Sequence, residues 1–319
     1  MDKGDGMLKI TVQHDTLIQT PALCGEAKYY SYRRGSPGRM EFSCTDAESL
    51  QLAAGDVVSA YQDDTLFFVG YLFTITRFGD GTVSVVAYDA LRYFKNKDTR
   101  VYQNLTADTL LLQICQDFSI PVGTLTPTGY VIPYRVENSV TLFDMVENAL
   151  DQTFLATANR YIIHCDNGKI YLSMQNQRQS GVRITEQHMI QAQGRVSIDQ
   201  SVYTRVRLTH YVPSLQTYFS AQATSPLATR WGVLQYHRMT DPKDDAATMA
   251  TRLLDAWSKP VTTLTVQCAT GDIRVRGGTY IELDCQVGTE HYSGNYLLSR
   301  CVHSFSAGRH EMQLMCEMQ

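Results

Sequence analysis

Residues 83–104 read VSVVAYDALRYFKNKDTRVYQN. Val83, Val85 and Ala87 alternate with Ser84, Val86 and Tyr88. Successive strand side chains point to opposite faces, so this run is a strand with one apolar face. A Tyr-Asp turn follows it, then a basic, Asn-bearing loop. Residues 105–125, LTADTLLLQICQDFSIPVGTL, switch to helical period. Thr106 is the expected N-cap and Asp108 sits in the first turn, where a negative charge is favourable. Leu110, Leu111, Ile114, Cys115 and Phe118 form the apolar stripe, which ends before Pro121. A Gly-Tyr-Val-Ile-Pro turn opens GYVIPYRV at 129–136.

Downstream, Leu142, Met145, Val146, Ala149, Leu150 and Phe154 recur at three- and four-residue steps and predict a second helix capped by Ser139. RYIIHCDNGKIYLSM follows as a hairpin, with Asp166-Asn167-Gly168 as its turn. Residues 98–178 thus read as a compact α+β module inserted into a β scaffold. Upstream, residues 7–97 read as entirely β, with Gly-Asp-Gly turning the hairpin between Phe78 and Thr82. Residues 179–319 return to β: VYTRVRLTHYV, a polar stretch over 213–230, WGVLQYHRM, then three further strand regions. One helix near 242–258 interrupts them, with Asp241 as N-cap, Pro242 at N1 and Pro260 as its stop.

Bulk properties narrow the function classes. The chain has 319 residues, 44% of them hydrophobic, and a net charge of −4, so no global basic field recruits nucleic acid. No run approaches the roughly 18–20 apolar residues of a membrane span, and the first fifteen residues lack the apolar core of a secretory signal. The eight cysteines form no C-x-x-C pair, which points to free thiols in a reducing compartment. The eight histidines show no H-x-x-x-H or H-E-x-x-H spacing, and neither a G-x-S-x-G elbow nor a phosphate-binding P-loop occurs. No metal or cofactor site is expected.

Four arginines stand out as candidate interface or lumen residues. Arg33 and Arg34 lie in AKYYSYRRGSPGR, among Lys28, Arg39, Tyr29, Tyr30 and Tyr32. Basic residues interleaved with aromatics also suit single-stranded nucleic acid. The negative whole-chain charge favours instead a strand and a Gly-Ser-Pro-Gly loop reaching a neighbouring subunit. Arg274 and Arg276 alternate with Ile273 and Val275, which predicts a strand with both arginines facing out. His164 and Cys165 are adjacent on a strand and so point apart, unsuited to a thiol nucleophile. Asp56, Asp89, Asp98, Asp144 and Asp272 are the carboxylates to check for a hydrolytic pair, although turn and helix-start positions already explain several of them.

In order and spacing, the segment 83–136 resembles the baseplate hub proteins of contractile phage tails, defective prophages and phage-tail-like bacteriocins (the XkdQ-like tail hubs). The resemblance continues through SVTLFDMVENALDQT, WGVLQY and GDIRVRGGTYIEL and so covers most of residues 50–319. It implies a β-rich, multidomain chain, α+β overall. Two tail-tube-like β-barrel domains (1–97 and 179–319) would carry the α+β insertion module (98–178). It further implies a non-enzymatic homotrimer whose six barrels form a pseudo-sixfold ring between the hexameric tube and the trimeric spike. Its partners would be a tail tube or tube-initiator protein, a spike or tail lysin, and baseplate wedge proteins, with no membrane and no specific nucleic acid. The protein would sit in the bacterial host cytoplasm during assembly and then in the baseplate. A tail-associated peptidoglycan hydrolase is the alternative, and a carbohydrate-binding β-module a third reading.

Overall fold

The computed structural model describes residues 7–199, 201–240 and 245–318. Strand accounts for 55% of the described residues and helix for 19%, which makes the fold β-rich. The early strands are β1 (Leu8–His14), β2 (Leu17–Gln19), β3 (Leu23–Tyr32), β4 (Arg39–Thr45), β5 (Val57–Gln62), β6 (Thr65–Arg77) and β7 (Thr82–Tyr88). Next come β8 (Lys97–Leu105), α1 (Ala107–Asp117), β9 (Val122–Leu125), β10 (Ile132–Thr141), α2 (Leu142–Thr157), β11 (Tyr161–Asp166) and β12 (Lys169–Met174). Then follow β13 (Gln179–Thr185), β14 (Met189–Ser197), β15 (Arg205–Val212), β16 (Thr217–Thr224) and β17 (Gln235–Met239). The chain closes with α3 (Ala246–Trp257), β18 (Val261–Cys268), β19 (Tyr280–Val287), β20 (Glu290–Ser306) and β21 (Arg309–Met318).

The backbone forms two compact units. One runs to Gln193 and resumes over Thr265–Cys316, and the other holds Gly194–Leu264. The main sheet has the order β14-β18-β21-β20-β3-β4-β7-β6-β5-β1-β2, with β19 joined to β20 and β13 to β19. Strands of the expected first and third modules therefore share one sheet, and the units do not divide at 97 and 178. The cause is the antiparallel pairing of Ala27–Tyr32 with Arg300–Phe305, a contact between distant segments that no local pattern announces. Among the described residues this sheet path does not close into a barrel.

Local patterning explains most elements of the first unit. Val83, Val85 and Ala87 are fully buried and pack with Ile10, Met40, Phe42 and Phe67 in one core. Leu110, Leu111, Ile114 and Cys115 of α1 meet Leu142, Met145, Val146 and Ala149 of α2 in a second core under β11 and β12. Thr106 caps α1 as expected. Thr141, not Ser139, caps α2 through a reciprocal capping box with Asp144, an arrangement that satisfies two orphan donors at once. The Tyr-Asp turn opens a 3₁₀ helix, Ala90–Lys95, capped by Asp89. The segment read as a basic loop is mostly β8, paired with β10 as a two-stranded ribbon.

The second unit is a three-stranded sheet in the order β16-β15-β17, with β15 antiparallel to β16 and parallel to β17. Ala250, Leu253 and Leu254 of α3 are buried, as are Val206 and Leu208 of β15. Asp245 caps α3 by accepting from the Thr248 N–H; the expected cap Asp241 and Pro242 lie outside the described residues.

Gly70 gives the fold a direct test. A Cβ there would lie 2.4 Å from the Tyr88 carbonyl oxygen, a backbone atom with little freedom to move. Gly70→Ala is expected to lower the urea-unfolding free energy by about 1–3 kcal/mol. Gly79→Ala, whose Cβ meets nothing within 4 Å, is expected to change it by less than about 1 kcal/mol.

Candidate functional site

The four arginines have different fates. Arg276 lies not on a strand but in the turn region 271–279 that precedes β19. Its side chain is 17% exposed, donates from Nη1 to Asp166 Oδ1 at 2.7 Å, and donates from Nε to the Ile273 carbonyl at 3.2 Å. The expected outward-facing strand is thus corrected. Flanking glycines and the Asp272 side chain, which accepts from the Arg274 N–H at 2.9 Å, favour a local turn over an extended ladder. Val275 is buried as the alternation implied. Arg274 is 63% exposed and engages Asp272 through Nη2 at 2.6 Å and Nε at 2.9 Å. Arg34, 45% exposed, bonds to Glu147 and, at 2.9 Å, to Asp151 of α2. Arg33 holds its place through its backbone N–H, which donates to the Ser299 carbonyl at 2.9 Å.

These contacts form a seam along which the 3₁₀ helix and the β11–β12 hairpin meet the end of β3 and the turn before β19. The Gly277 N–H donates to Ser31 Oγ at 2.9 Å, and a Cβ on Gly277 would come within 2.5 Å of the Tyr32 backbone. Buried Asp89 accepts from the Gly38 N–H at 2.9 Å and the Leu91 N–H at 3.0 Å. Burial raises its carboxyl to about 7 against the pull of those two donors and the charge of Arg276. The basic-aromatic strands β3 and β4 are likewise internal in their bonding. Lys28 pairs with Glu26 at 2.8 Å and Arg39 with Glu41 at 3.1 Å, while Tyr29 stacks on His303.

A second buried cluster was missed in the sequence. His303 Nε2 lies 2.8 Å from the Val275 carbonyl, which only accepts, so Nε2 carries the proton. His303 Nδ1 then accepts from His310 Nε2–H at 2.9 Å, and His310 Nδ1 is left without a partner. Burial, then the neighbouring His310, lowers His303 to about 3; burial lowers His310 to about 4 against the charges of Asp272 and Asp63. The pair fixes the turn region from both sides, because the Gly271 N–H also donates to the His310 carbonyl. Two in-phase histidines on one hairpin, seven apart across Ser306-Ala307-Gly308, were the available signal.

The five candidate carboxylates all serve the scaffold. Asp56 holds His14 at 2.9 Å and the Ala53 N–H, Asp98 holds Arg100 at 3.0 Å, and Asp144 completes the α2 cap. Asp89 and Asp272 are engaged as described above. His164 stacks on Tyr171, while Cys165 packs toward the helical core. Among the described residues no group of three or more His, Cys, Asp or Glu is placed to hold a metal ion. No helix there is long and apolar enough to cross a membrane.

Apolar exposure concentrates elsewhere. β2 ends the main sheet with Leu17 and Ile18 exposed, Ile18 at 66%, and β14 ends the other side with Ile190 exposed. The β8–β10 ribbon shows Val101, Tyr134 and Val136, while the β15–β16 hairpin shows Tyr211, Tyr218 and Phe219. The hairpin was missed because β16 falls in the stretch read as polar.

The chain belongs to the YQBQ-like family, whose model matches residues 27–317. It is 31% identical over 194 residues to the phage-like element PBSX protein XkdQ of Bacillus subtilis, covering 60% of this chain and 59% of that protein. The match thus spans about three fifths of that relative's length. The fold is shared with the 43 kDa tail protein of prophage MuSo2 from Shewanella oneidensis, with a TM-score of 0.72, 13% identity and coverage of 97% of this chain and 98% of that one. It is also shared with the E. coli c3393 protein, described as a type VI secretion component similar in structure to T4 tail proteins gp27 and gp5. There the TM-score is 0.57 at 11% identity, over 97% of this chain and 76% of that one. The fold is therefore that of phage tail proteins.

Two measurements probe the seam. Arg276→Ala removes the hydrogen bonds to Asp166 and to the Ile273 carbonyl while leaving Asp166 half exposed to water, so urea unfolding is expected to register a loss of about 1–3 kcal/mol. Arg274→Ala, at an exposed pair, is expected to stay within about 0.5 kcal/mol. The pH profile follows from the buried groups. His303 and His310 titrate lower when folded than unfolded, so their stability contribution is lost as pH falls from 6.5 toward 4. Asp89 titrates higher when folded, so its contribution weakens as pH rises from 3.8 toward 7. With two groups against one, these residues lower the urea midpoint between pH 6.5 and 4. Asp89→Asn removes the opposing term and is expected to steepen that fall.

Proposed function

We propose that this chain is the central hub subunit of a contractile tail or injection particle, working as a homotrimer. In this reading each chain supplies two tube-like sheet regions, one built on β1–β7 and one on β13 and β18–β21. Three chains present six such regions to a hexameric tube above and a threefold face to a spike below. Duplication within one chain thereby resolves the symmetry mismatch. The observation that carries the reading is that two of the open ends of the main sheet, β2 and β14, each have exposed apolar side chains. Unpaired strand edges of this kind invite pairing with another chain. Different edges on one molecule suit the head-to-tail contacts from which rings close.

The fold shared with tail proteins supports this assignment, as does the similarity to gp27 and gp5 stated for the c3393 protein. The partners would be the tail tube or its initiator, the spike or tail lysin, and the wedge proteins. Assembly would take place in the bacterial host cytoplasm, before the hub takes its place in the baseplate. The structural duties of Asp56, Asp89, Asp98, Asp144 and Asp272 favour a scaffold over a hydrolase. Arg274, exposed at the turn before β19, is the arginine best placed to meet a neighbouring subunit or the lumen.

Light scattering tests the assembly. The purified protein, alone or with its spike partner, is expected at three times the chain mass of 35.9 kDa. Ile18→Lys and Ile190→Lys, each adding a charge at a sheet end, are expected to shift the mass toward the monomer without lowering the melting temperature. A monomer under every condition would contradict the hub assignment.

A further inference from the structure

Residues 200–240 hold Arg205, Arg207, Arg230 and Arg238 and not one Lys, Asp or Glu. The segment thus carries +4 on a chain of −4, and elsewhere 24 Lys and Arg stand against 32 Asp and Glu, a balance of −8. Whole-chain charge hides this reversal. The same segment builds the sheet of the second unit, β16-β15-β17. Among the described residues none of its four arginines joins an ion pair with a carboxylate, whereas Arg34, Arg100, Arg183 and Arg276 of the first unit all do.

α3 packs across β15 and β16, and Val206 and Leu208 of β15 are buried on that side. Alternation sends Arg205, Arg207 and Tyr211 to the opposite face, where Arg207 and Tyr211 are exposed. In register, Tyr218 and Gln222 of β16 stand beside Tyr211 and Arg207, and His237 of β17 flanks Arg207 from the other side. All three are exposed as well. The Tyr211 and Tyr218 rings lie 4.9 Å apart at 46°, and His237 Nε2 is held 3.0 Å from the Thr209 hydroxyl. From Arg205 to Tyr211 the strand spans about 20 Å, and three strands are about 10 Å across.

We propose that this bare sheet face binds single-stranded nucleic acid without sequence preference. Arg205 and Arg207 meet phosphates and the Tyr211–Tyr218 pair takes stacked bases, the two interactions on which such binding is built. Gln222 and His237 offer hydrogen bonds on either side of Arg207. Because the three strands carry no carboxylate, closely spaced phosphates meet no fixed negative charge on them. An acidic peptide would use the arginines and leave the tyrosines idle, and a neutral glycan would do the opposite. A duplex keeps its bases from the rings, so a single strand is the ligand that uses the whole face. The hub reading does not enter, since this face belongs to the second unit and not to the ends of the main sheet.

The test is fluorescence anisotropy with a labelled oligothymidylate of about twelve nucleotides, using the full chain over a range of salt concentrations. Binding is expected with a Kd of about 1–100 μM at physiological salt. Tyr218→Ala is expected to weaken it about tenfold while leaving its salt dependence unchanged, and Tyr218→Phe, which keeps the ring, to retain it. Arg207→Gln is expected to weaken binding and to flatten the slope of log K against log salt by about 0.7, the loss of one phosphate contact on a single strand. Arg274→Gln, at an exposed arginine of the first unit, is expected to change neither quantity. Thermal melts establish that each variant is folded. No binding at about 1 mM protein, an equal loss with Arg274→Gln, or a salt slope altered as much by Tyr218→Ala as by Arg207→Gln would overturn the proposal. So would tighter binding of hexaglutamate or of the matching duplex at the same salt.

Discussion

The pairing of β3 with β20 is the interaction on which the rest of the first unit depends. Tyr29 stands opposite His303, Ser31 opposite Cys301 and Ala27 opposite Phe305, all turned into the interior, while Tyr30, Tyr32 and Arg300 turn outward. A slip of one residue would invert both sets, exposing Phe305 and burying Arg300. β20 is 17 residues long, and its two halves have different partners. Glu290–Leu297 pairs with β19, Leu298–Ser306 pairs with β21 across a register shift after Leu298, and Arg300–Phe305 pairs with β3. Strands from both ends of the chain are thereby fastened into one sheet, with edges left over for other molecules.

The same pairing places the polar seam. Once Ser31 and Leu298 are fixed, the Gly277 and Gly278 N–H groups have acceptors in Ser31 Oγ and the Leu298 carbonyl. With the end of the turn region anchored in this way, Arg276 just before it reaches Asp166. Arg276 is mostly buried while Asp166 stays half exposed, so the pair adds modest stability but penalises any arrangement that buries the guanidinium without an acceptor. The seam accordingly works as a device of specificity, and so does the His303–His310 pair, whose ring hydrogen bonds fix one tautomer of His303 against the Val275 carbonyl.

What the sequence disclosed was what local periodicity controls. Val83, Val85 and Ala87, the stripes of α1 and α2, and the Asp166-Asn167-Gly168 turn all stand where period and turn chemistry put them, because neighbours in the chain decide them. Arg276 was misjudged because Ile273 and Val275 imitate a strand, while Asp272 and the flanking glycines supply a stronger local preference for a turn. β16 was missed because its cover is partial: Tyr218 and Phe219 are both exposed, so the hairpin lacks the alternation that betrays a half-buried strand. The shared sheet was beyond reach for a different reason, since partners about 270 residues apart leave no mark on either segment alone. The candidate site suffered most. Arginines that read as outward-facing are largely engaged within the chain, and the exposed apolar ends of the sheet are ordinary residues in sequence.

A β-rich fold with open sheet edges, braced by a polar seam, is the frame on which the hub proposal rests. In the hub proposal, one chain contributes two sheet regions to a closed ring. Cryo-electron microscopy of the purified complex with its spike tests this most directly. End-on views are expected to show a threefold ring of six lobes grouped in three pairs, with β2 of one subunit beside β14 of the next. Single particles the size of one chain, or rings whose contacts leave both edges bare, would contradict it.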